Sequence, residues 1–312
     1  MSCVKTVVIA GPTASGKSQL SLRLAASLGG VVINADSLQV YKEFRVLTAR
    51  PSASDEALVP HRLYGLISGA TSFSVGKWLV AARQEIQRAH DKAQVPIFVG
   101  GSGLYLRALI DGLAVIPEVA EKTRSQATEL YNRLGGEQFW VELAKRDPES
   151  AGQINAADRQ RLIRAWEVVE DTGVPISKWR GRMNVGGLEG PVFVIKIMPE
   201  RSSLYSTCER RFDKMLDSGV LDEVAAVQSL GLPQSLPAMK ALGFQAVCRY
   251  LSGDLTLDEC KASVRQATRN YAKRQFTWFS NQLPAQREYS DGVAAETAAK
   301  AAIQEFLLTG DG

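Results

Sequence analysis

Eight residues near the start of the chain, Gly11 to Ser18 (GPTASGKS), match the pattern G-x-x-x-x-G-K-[ST], and they constrain the fold more than any other stretch. The pattern carries weight because of its flanks. Lys5 to Ala10 (KTVVIA) reads as a short buried strand, and Gln19 to Leu28 has helical periodicity until Gly29-Gly30 stops it. A glycine-rich loop between a strand and a helix turns several backbone N–H groups and the helix N-terminus toward one anion. Lys17 adds a point charge, and the Ser18 hydroxyl is of the kind that ligates Mg2+. Gly11, Pro12, Thr13, Ala14, Ser15, Gly16, Lys17 and Ser18 are therefore the expected binding residues for a di- or triphosphate. The loop does not say which bond next to the phosphates is broken.

Further strands extend the pattern into a parallel α/β sheet of the P-loop NTPase type. Val31 to Ile33 is apolar and ends in Asn34-Ala35-Asp36-Ser37, which sets Asp36 on the rim where open α/β sheets bind ligands. Residues 43–62, rich in Pro, Ser and small side chains, read as a long surface loop. Helical spacing runs from Phe73 to Ala89, and Val95 to Val99 is a third strand. It leads into Gly100-Gly101-Ser102-Gly103, which is either a simple tight turn or a second binding loop, and then into a helix from Leu104 to Asp111. From Pro117 strands give way to amphipathic helices. The expected organisation is a catalytic core of residues 1–116 and 191–312 interrupted by a helical insertion, 117–190, whose end at Arg182 to Gly190 is a Gly-rich linker. Val192 to Met198 returns as a strand, helices are expected for nearly all the rest, and Val293 to Leu307 closes as a packing helix.

Composition removes several function classes. With 312 residues the chain can bury a full core, and no apolar run approaches the roughly 18 residues of a membrane span. A cytoplasmic location and no membrane partner are expected. Cys3, Cys208, Cys248 and Cys260 lack paired spacing, and with only His61 and His90 there is no zinc set, so the cysteines read as packing residues. The net charge of +4 is modest, but its distribution is uneven. Lys261, Arg265, Arg269 and Lys273 recur every four residues, and the segment from Lys261 to Arg287 holds six basic residues and no acidic one, with Tyr271, Phe276, Trp278 and Phe279 among them. That is the footprint of a nucleic-acid surface, or a solvated helix face with core aromatics behind it. Arg159, Arg161 and Arg164 form a second cluster, with Glu167, Glu170 and Asp171 at ion-pairing distance along the same helix.

GPTASGKS at 11–18, NADSLQVY at 34–41, TARP at 48–51, VGGSGLYL at 99–106, DRQRLIRAWEV at 158–168, KALGF at 240–244 and TRNYAKRQFTWF at 268–279 occur in the order seen in tRNA dimethylallyltransferases. The chain resembles that family over nearly its whole length. It departs at Ser102, where Thr is usual, at Val46-Leu47 and Arg50 around TARP, and at Arg62 after His61. The resemblance implies transfer of a dimethylallyl group from dimethylallyl diphosphate to N6 of the adenosine on the 3′ side of the tRNA anticodon. It also implies Mg2+ as cofactor and the anticodon stem-loop as partner. Asp36 would serve as base, Lys17 and Arg211 as clamps on the leaving group. Asp36, Ser37, Leu38, Gln39, Ser102, Arg124, Gln160, Arg161, Leu162, Ile163 and Arg164 would touch tRNA, as would Arg269, Lys273 and Arg274 of the 268–279 block. Arg211 has a plainer reading as a surface arginine near Asp213 and Asp217. A monomer is expected. A transferase acting on free adenylate, a P-loop small-molecule kinase and an RNA-binding module with a P-loop switch remain as rival readings.

Overall fold

The computed structural model describes residues 4–180 and 185–309, so Cys3 and residues 182–184 of the expected linker lie outside the described residues. In chain order the elements are β1 (Thr6–Ala10), α1 (Lys17–Leu28), β2 (Gly30–Asn34), α2 (Ala53–Leu58), β3 (His61–Arg62), α3 (Val75–Asp91), β4 (Val95–Gly100) and α4 (Gly103–Asp111). Four helices follow with no named strand between them: α5 (Glu121–Arg146), α6 (Pro148–Gln153), α7 (Arg159–Thr172) and α8 (Ile176–Arg180). The chain then forms β5 (Val192–Ile197), α9 (Arg201–Asp217), α10 (Val220–Ser229), a 3-10 turn at Pro237–Lys240, α11 (Phe244–Leu251), α12 (Leu257–Gln282), β6 (Arg287–Tyr289) and α13 (Glu296–Leu308). Two compact units result. One runs to Ile110 and resumes at Leu188, and the other is Asp111–Gly187.

The first unit is built on one sheet in the order β3-β2-β4-β1-β5-β6, with every pairing parallel. Parallel strands need helical crossovers that cover both faces, which is why the inner strands are apolar almost throughout. Val7, Ile9, Val32, Ile97, Val99, Ile195 and Ile197 pack with Leu20 and Leu24 of α1 and Ala299 and Ile303 of α13. On alternate positions Phe98 meets Trp78 of α3 edge-on with ring centroids 6.2 Å apart, and Trp78 stacks at 4.4 Å on Tyr105 of α4. Each such fully buried side chain contributes roughly 1.5–3 kcal/mol. Among the described residues no helix is long and apolar enough to cross a membrane.

Three places differ from the sequence reading. Residues 43–62 are not a plain surface loop. Phe44 is fully buried, and Ser52 and Asp55 close a reciprocal capping box that starts α2. The Glu223 carboxylate on α10 accepts the N–H groups of Arg45 and Val46 at 2.7 Å and of Leu47 at 2.8 Å, fastening the segment from outside. The sheet also gains two edge strands where a loop and helices were expected. Both are short and carry Arg62, Arg287 and Glu288, a composition that discourages further edge pairing.

The second unit has its own core of Phe139, Leu143, Leu162, Ala165 and Val168. Asp147, fully buried, caps α6 through the Ser150 N–H and accepts the Ser177 N–H and hydroxyl. Burial alone would push its carboxyl up, but these donors hold it below the usual carboxylate range. Asp158 caps α7 by accepting the Arg161 N–H.

Glu223→Ala removes three acceptor contacts without touching the strand core. We expect a loss of about 1–3 kcal/mol in denaturant unfolding, and faster amide exchange at Arg45, Val46 and Leu47 than at the β1 amides.

Candidate functional site

The phosphate loop leaves β1 at its carboxyl end and closes on Gly16, which takes φ 88° as it caps α1. Gly11 is a matter of space, since a Cβ there would stand 2.5 Å from the Ile197 carbonyl oxygen at the end of β5. Ala14 also lies in the left-handed region, at φ 63°. The loop surrounds a cavity of about 350 Å3 lined by Thr13 to Ser18, Asp36, Gln39, Thr48 and Arg211. Ser15 Oγ is buried there without a protein partner, so an anion seated in the loop would supply the bond it lacks. The first turn of α1 adds the N–H groups that any helix leaves unpaired at its start. Lys17 Nζ donates to the Pro12 carbonyl at 3.1 Å. Desolvation brings the Lys17 ammonium down from 10.5 to about 8. Asp36 opposes that shift and Arg211 reinforces it.

Asp36 stands where the end of β2 was expected to put it, half-buried on the same cavity. Asn34 holds it there. This buried side chain donates through Nδ2 to the carbonyls of Asp36 and Leu63 and accepts the Asp36 N–H, while its own carbonyl accepts Trp78 Nε1–H. One Asp36 oxygen accepts the Leu38 N–H at 3.0 Å. Arg211 is not a surface arginine: Nη1 donates to Thr13 Oγ1 at 2.7 Å, and desolvation lowers its pKa against the pull of Asp36. A second cavity shares Thr13, Asp36, Thr48 and Arg211 with the first and adds Leu47, Phe212, Met215, Leu242, Val264 and Tyr271. The anion cradle thus opens directly onto an apolar wall.

The 100–103 turn meets the same rim. Ser102 Oγ accepts the Ser37 N–H at 2.9 Å and donates to Ser37 Oγ, and the Tyr271 hydroxyl bonds to Ser102. Burial pushes the Tyr271 phenol up, so it stays protonated over the ordinary pH range. Sequence reasoning missed Asn34, Tyr271 and above all Gln275, whose amide joins Thr13 to Gly101. The signal available was their place inside the NADSLQVY and TRNYAKRQFTWF blocks.

Several residues grouped with the RNA contacts are engaged within the protein. Leu162 has no exposed surface and packs in the core of its unit, so it supports α7 and is not available to a ligand. Ile163 packs against that same core. Gln160 and Arg161 are exposed, Arg161 pairing with Asp158 at 3.4 Å, while Arg164 pairs with Glu167 and Arg124 with Glu121. Gln39 Nε2 donates to the carbonyls of Thr48 and Ala49, holding the TAR turn. The basic stripe is not uncompensated. Arg265 and Lys261 both pair with Asp213, and Arg269 pairs with Glu209, all across the contact between α12 and α9. Lys273 and Arg274 are exposed, Arg274 lying 5.8 Å from the Tyr271 ring centroid.

Among the described residues no three His, Cys, Asp or Glu side chains gather as a metal cage. Ser18 and Asp36 are nonetheless oxygen donors on one cavity with the anion cradle. That donor set suits Mg2+, which keeps several waters and binds through one or two protein oxygens together with substrate phosphates.

Residues 39–282 match the family model described as IPP transferase. A protein of Rhodospirillum centenum named tRNA dimethylallyltransferase is 47% identical over 303 residues, covering 97% of this chain and 96% of its own. Among solved structures, a tRNA delta(2)-isopentenylpyrophosphate transferase from Staphylococcus epidermidis superposes with a TM-score of 0.69 at 27% identity, covering 97% of this chain and 99% of that one. A eukaryotic dimethylallyltransferase described as acting on tRNA superposes with a TM-score of 0.81 over 97% of this chain and 79% of its own, at 24% identity, a likeness of fold.

The low Lys17 value has a measurable sign. Above pH 8 the free protein holds Lys17 neutral, whereas a bound anion favours the ammonium. Pyrophosphate affinity should therefore fall more steeply above pH 8 in the wild type than in Lys17→Met, with more protons taken up on binding by the wild type than by the variant. Calorimetric titration in two buffers of different ionisation enthalpy measures both.

Proposed function

Because the chain belongs to the IPP transferase family, we propose that its site transfers a dimethylallyl group from dimethylallyl diphosphate to N6 of the adenosine 3′-adjacent to the tRNA anticodon, releasing diphosphate. The observation that carries this is one carboxylate, Asp36, set on the same cavity as the phosphate loop and Arg211, with an apolar wall adjoining. Relatives named tRNA dimethylallyltransferase along nearly the whole chain do not favour a kinase or a transferase acting on free adenylate.

Chemically, the C–O bond to the diphosphate breaks and its electron pair leaves with the phosphate oxygen. The loop N–H groups, the Ser15 hydroxyl, Lys17 and Arg211 would hold that growing charge, and donors fixed in a dry site act most strongly on charge that develops during reaction. Leu47, Phe212, Met215, Leu242 and Val264 would take the hydrocarbon and keep water from the allylic carbon. Adenine N6 is a poor nucleophile because its lone pair is shared with the ring. Asp36 would accept the proton that N6 sheds as the N–C bond forms, an assistance typically worth 10² to 10⁴ in rate. Mg2+, held by Ser18 and the diphosphate oxygens, would supply further positive charge to the leaving group.

The adenine must leave its stack to reach Asp36, at a cost of a few kcal/mol. Ser37 and Ser102, hydrogen-bonded to each other beside Asp36, would meet the extruded nucleotide. The exposed Lys273 and Arg274 would meet RNA phosphate, and Arg124, Gln160, Arg161 and Arg164 are the corresponding polar groups of the second unit.

Asp36→Ala and Asp36→Asn should each slow single-turnover transfer by about 10² or more while tRNA affinity stays within several-fold. The reaction is assayed with labelled dimethylallyl diphosphate plus tRNA, plus AMP or with neither, and with labelled ATP in parallel. Label in AMP, or ADP released in step with product, would overturn the proposed reaction.

For the RNA surface, Lys273→Gln with Arg274→Gln should flatten the log–log salt dependence of tRNA binding by roughly 0.7–0.9 for each lost contact. Lys261→Gln, whose charge is spent on Asp213, should leave the slope unchanged. Filter binding at several salt concentrations separates the two variants.

A further inference from the structure

Gln275 sits on α12 with only 6% of its surface exposed, and both ends of its side-chain amide are hydrogen-bonded. Oε1 accepts the Thr13 N–H of the phosphate loop at 2.8 Å, and Nε2 donates to the Gly101 carbonyl of the 100–103 turn at 2.7 Å. The fit is close, since a Cβ added to Gly101 would stand 2.4 Å from Nε2. Both turns lead directly to groups of the proposed reaction. Thr13 Oγ1 receives Arg211, so the first turn belongs to the leaving-group side. Ser102 follows Gly101 and holds Ser37 through its hydroxyl, beside Asp36, so the second turn belongs to the nucleophile side. Among the hydrogen bonds of this corner, one planar amide therefore spans from the donor cradle to the acceptor rim, and it does so with one acceptor and one donor of fixed separation.

We infer that Gln275 is a positioning residue for the transfer: it sets the spacing between the diphosphate cradle and the Ser37–Asp36 rim without touching either substrate. The inference rests on the proposed reaction and deepens it. Its physical basis is that transfer requires the allylic carbon and N6 to approach along one line. Such alignment is sensitive to displacements of about 1 Å, enough to cost on the order of 10² in rate. No other side chain of the 268–279 block is built for the task in this way. Trp278 fills the space beside Gly103 by packing alone, and Arg269 is committed to Glu209.

Two substitutions test this. Gln275→Met keeps the length and volume but loses both hydrogen bonds. It should lower kcat by about 10²-fold while the KM for tRNA stays within about threefold, since an aligned geometry is lost and the RNA surface is not. Gln275→Glu keeps the acceptor for Thr13 but, when ionised, opposes an oxygen to the Gly101 carbonyl. When protonated it regains a donor. Burial beside that carbonyl raises the new carboxyl's pKa, whereas the Lys17 and Arg211 cations lower it, so the midpoint is read from the profile.

The expected result is a ratio of kcat for Gln275→Glu to wild type that climbs as pH falls from about 8.5 to about 5.5. A ratio that stays near one at every pH, or a Gln275→Met enzyme with kcat within about twofold of wild type, overturns the inference. If Gln275→Met does not fold, the Gln275→Glu ratio carries the test, with circular dichroism and thermal unfolding at each pH: recovery of kcat with an unchanged fold supports the positioning role, and recovery that tracks refolding overturns it. Wild-type turnover is measured alongside. An error in the proposed reaction shows in the wild type, and an error about Gln275 shows only in the variants.

Discussion

In a sheet whose strands all run the same way, every strand delivers its carboxyl end to one edge. Here β4 is hydrogen-bonded on both sides, to β1 and to β2, and those pairings set the heights at which three chain segments turn. The phosphate loop leaves β1, Asp36 follows β2, and the Gly-rich turn follows β4. Their meeting is therefore a consequence of register more than of any contact among the side chains themselves. The close approach of Gly11 to the last carbonyl of β5 shows how little slack the arrangement has.

Electrostatics then divides the rim. Lys17 and Arg211 lie together in a poorly solvated place, and burial works against the charge on both. A protein does not gather two cations there for its own stability. Asp36 offsets part of the cost, and a diphosphate would offset much more, so the free site is one whose strain a ligand relieves. The apolar wall sharpens this, because the same dryness that penalises the lone cations strengthens their grip on an anion.

What could be read in the sequence follows from how far apart the interacting residues lie. The phosphate loop was legible because all eight of its residues are contiguous and its flanking strand and helix are strongly patterned. Asp36 was legible because a strand ending next to it can only point one way. Residues 43–62 were misread because their order is imposed by Glu223, a carboxylate some 180 positions away in the chain. The stripe on α12 looked bare because the carboxylates that answer it, Asp213 and Glu209, sit on α9, in another part of the sequence. Gln275 left no periodic mark at all: its meaning lies in two turns that only the folded sheet brings within reach of one amide. β3 and β6 were too short to alternate, having two and three residues.

The pairing of α9 with α12 bears on how such a chain can drift. Asp213 serves both Arg265 and Lys261, but the first contact is two-pronged at 2.8 and 2.9 Å, whereas the second is a single approach at 3.8 Å. Lys261 can be exchanged with little penalty. Changing Arg265 alone leaves Asp213, on the helix that also carries Arg211, with only the longer Lys261 contact. Substitutions at 213 and 265 are thus expected to be coupled in their effects. The helix pair above the phosphate loop is in this sense a single unit, although about forty residues separate its two halves along the chain.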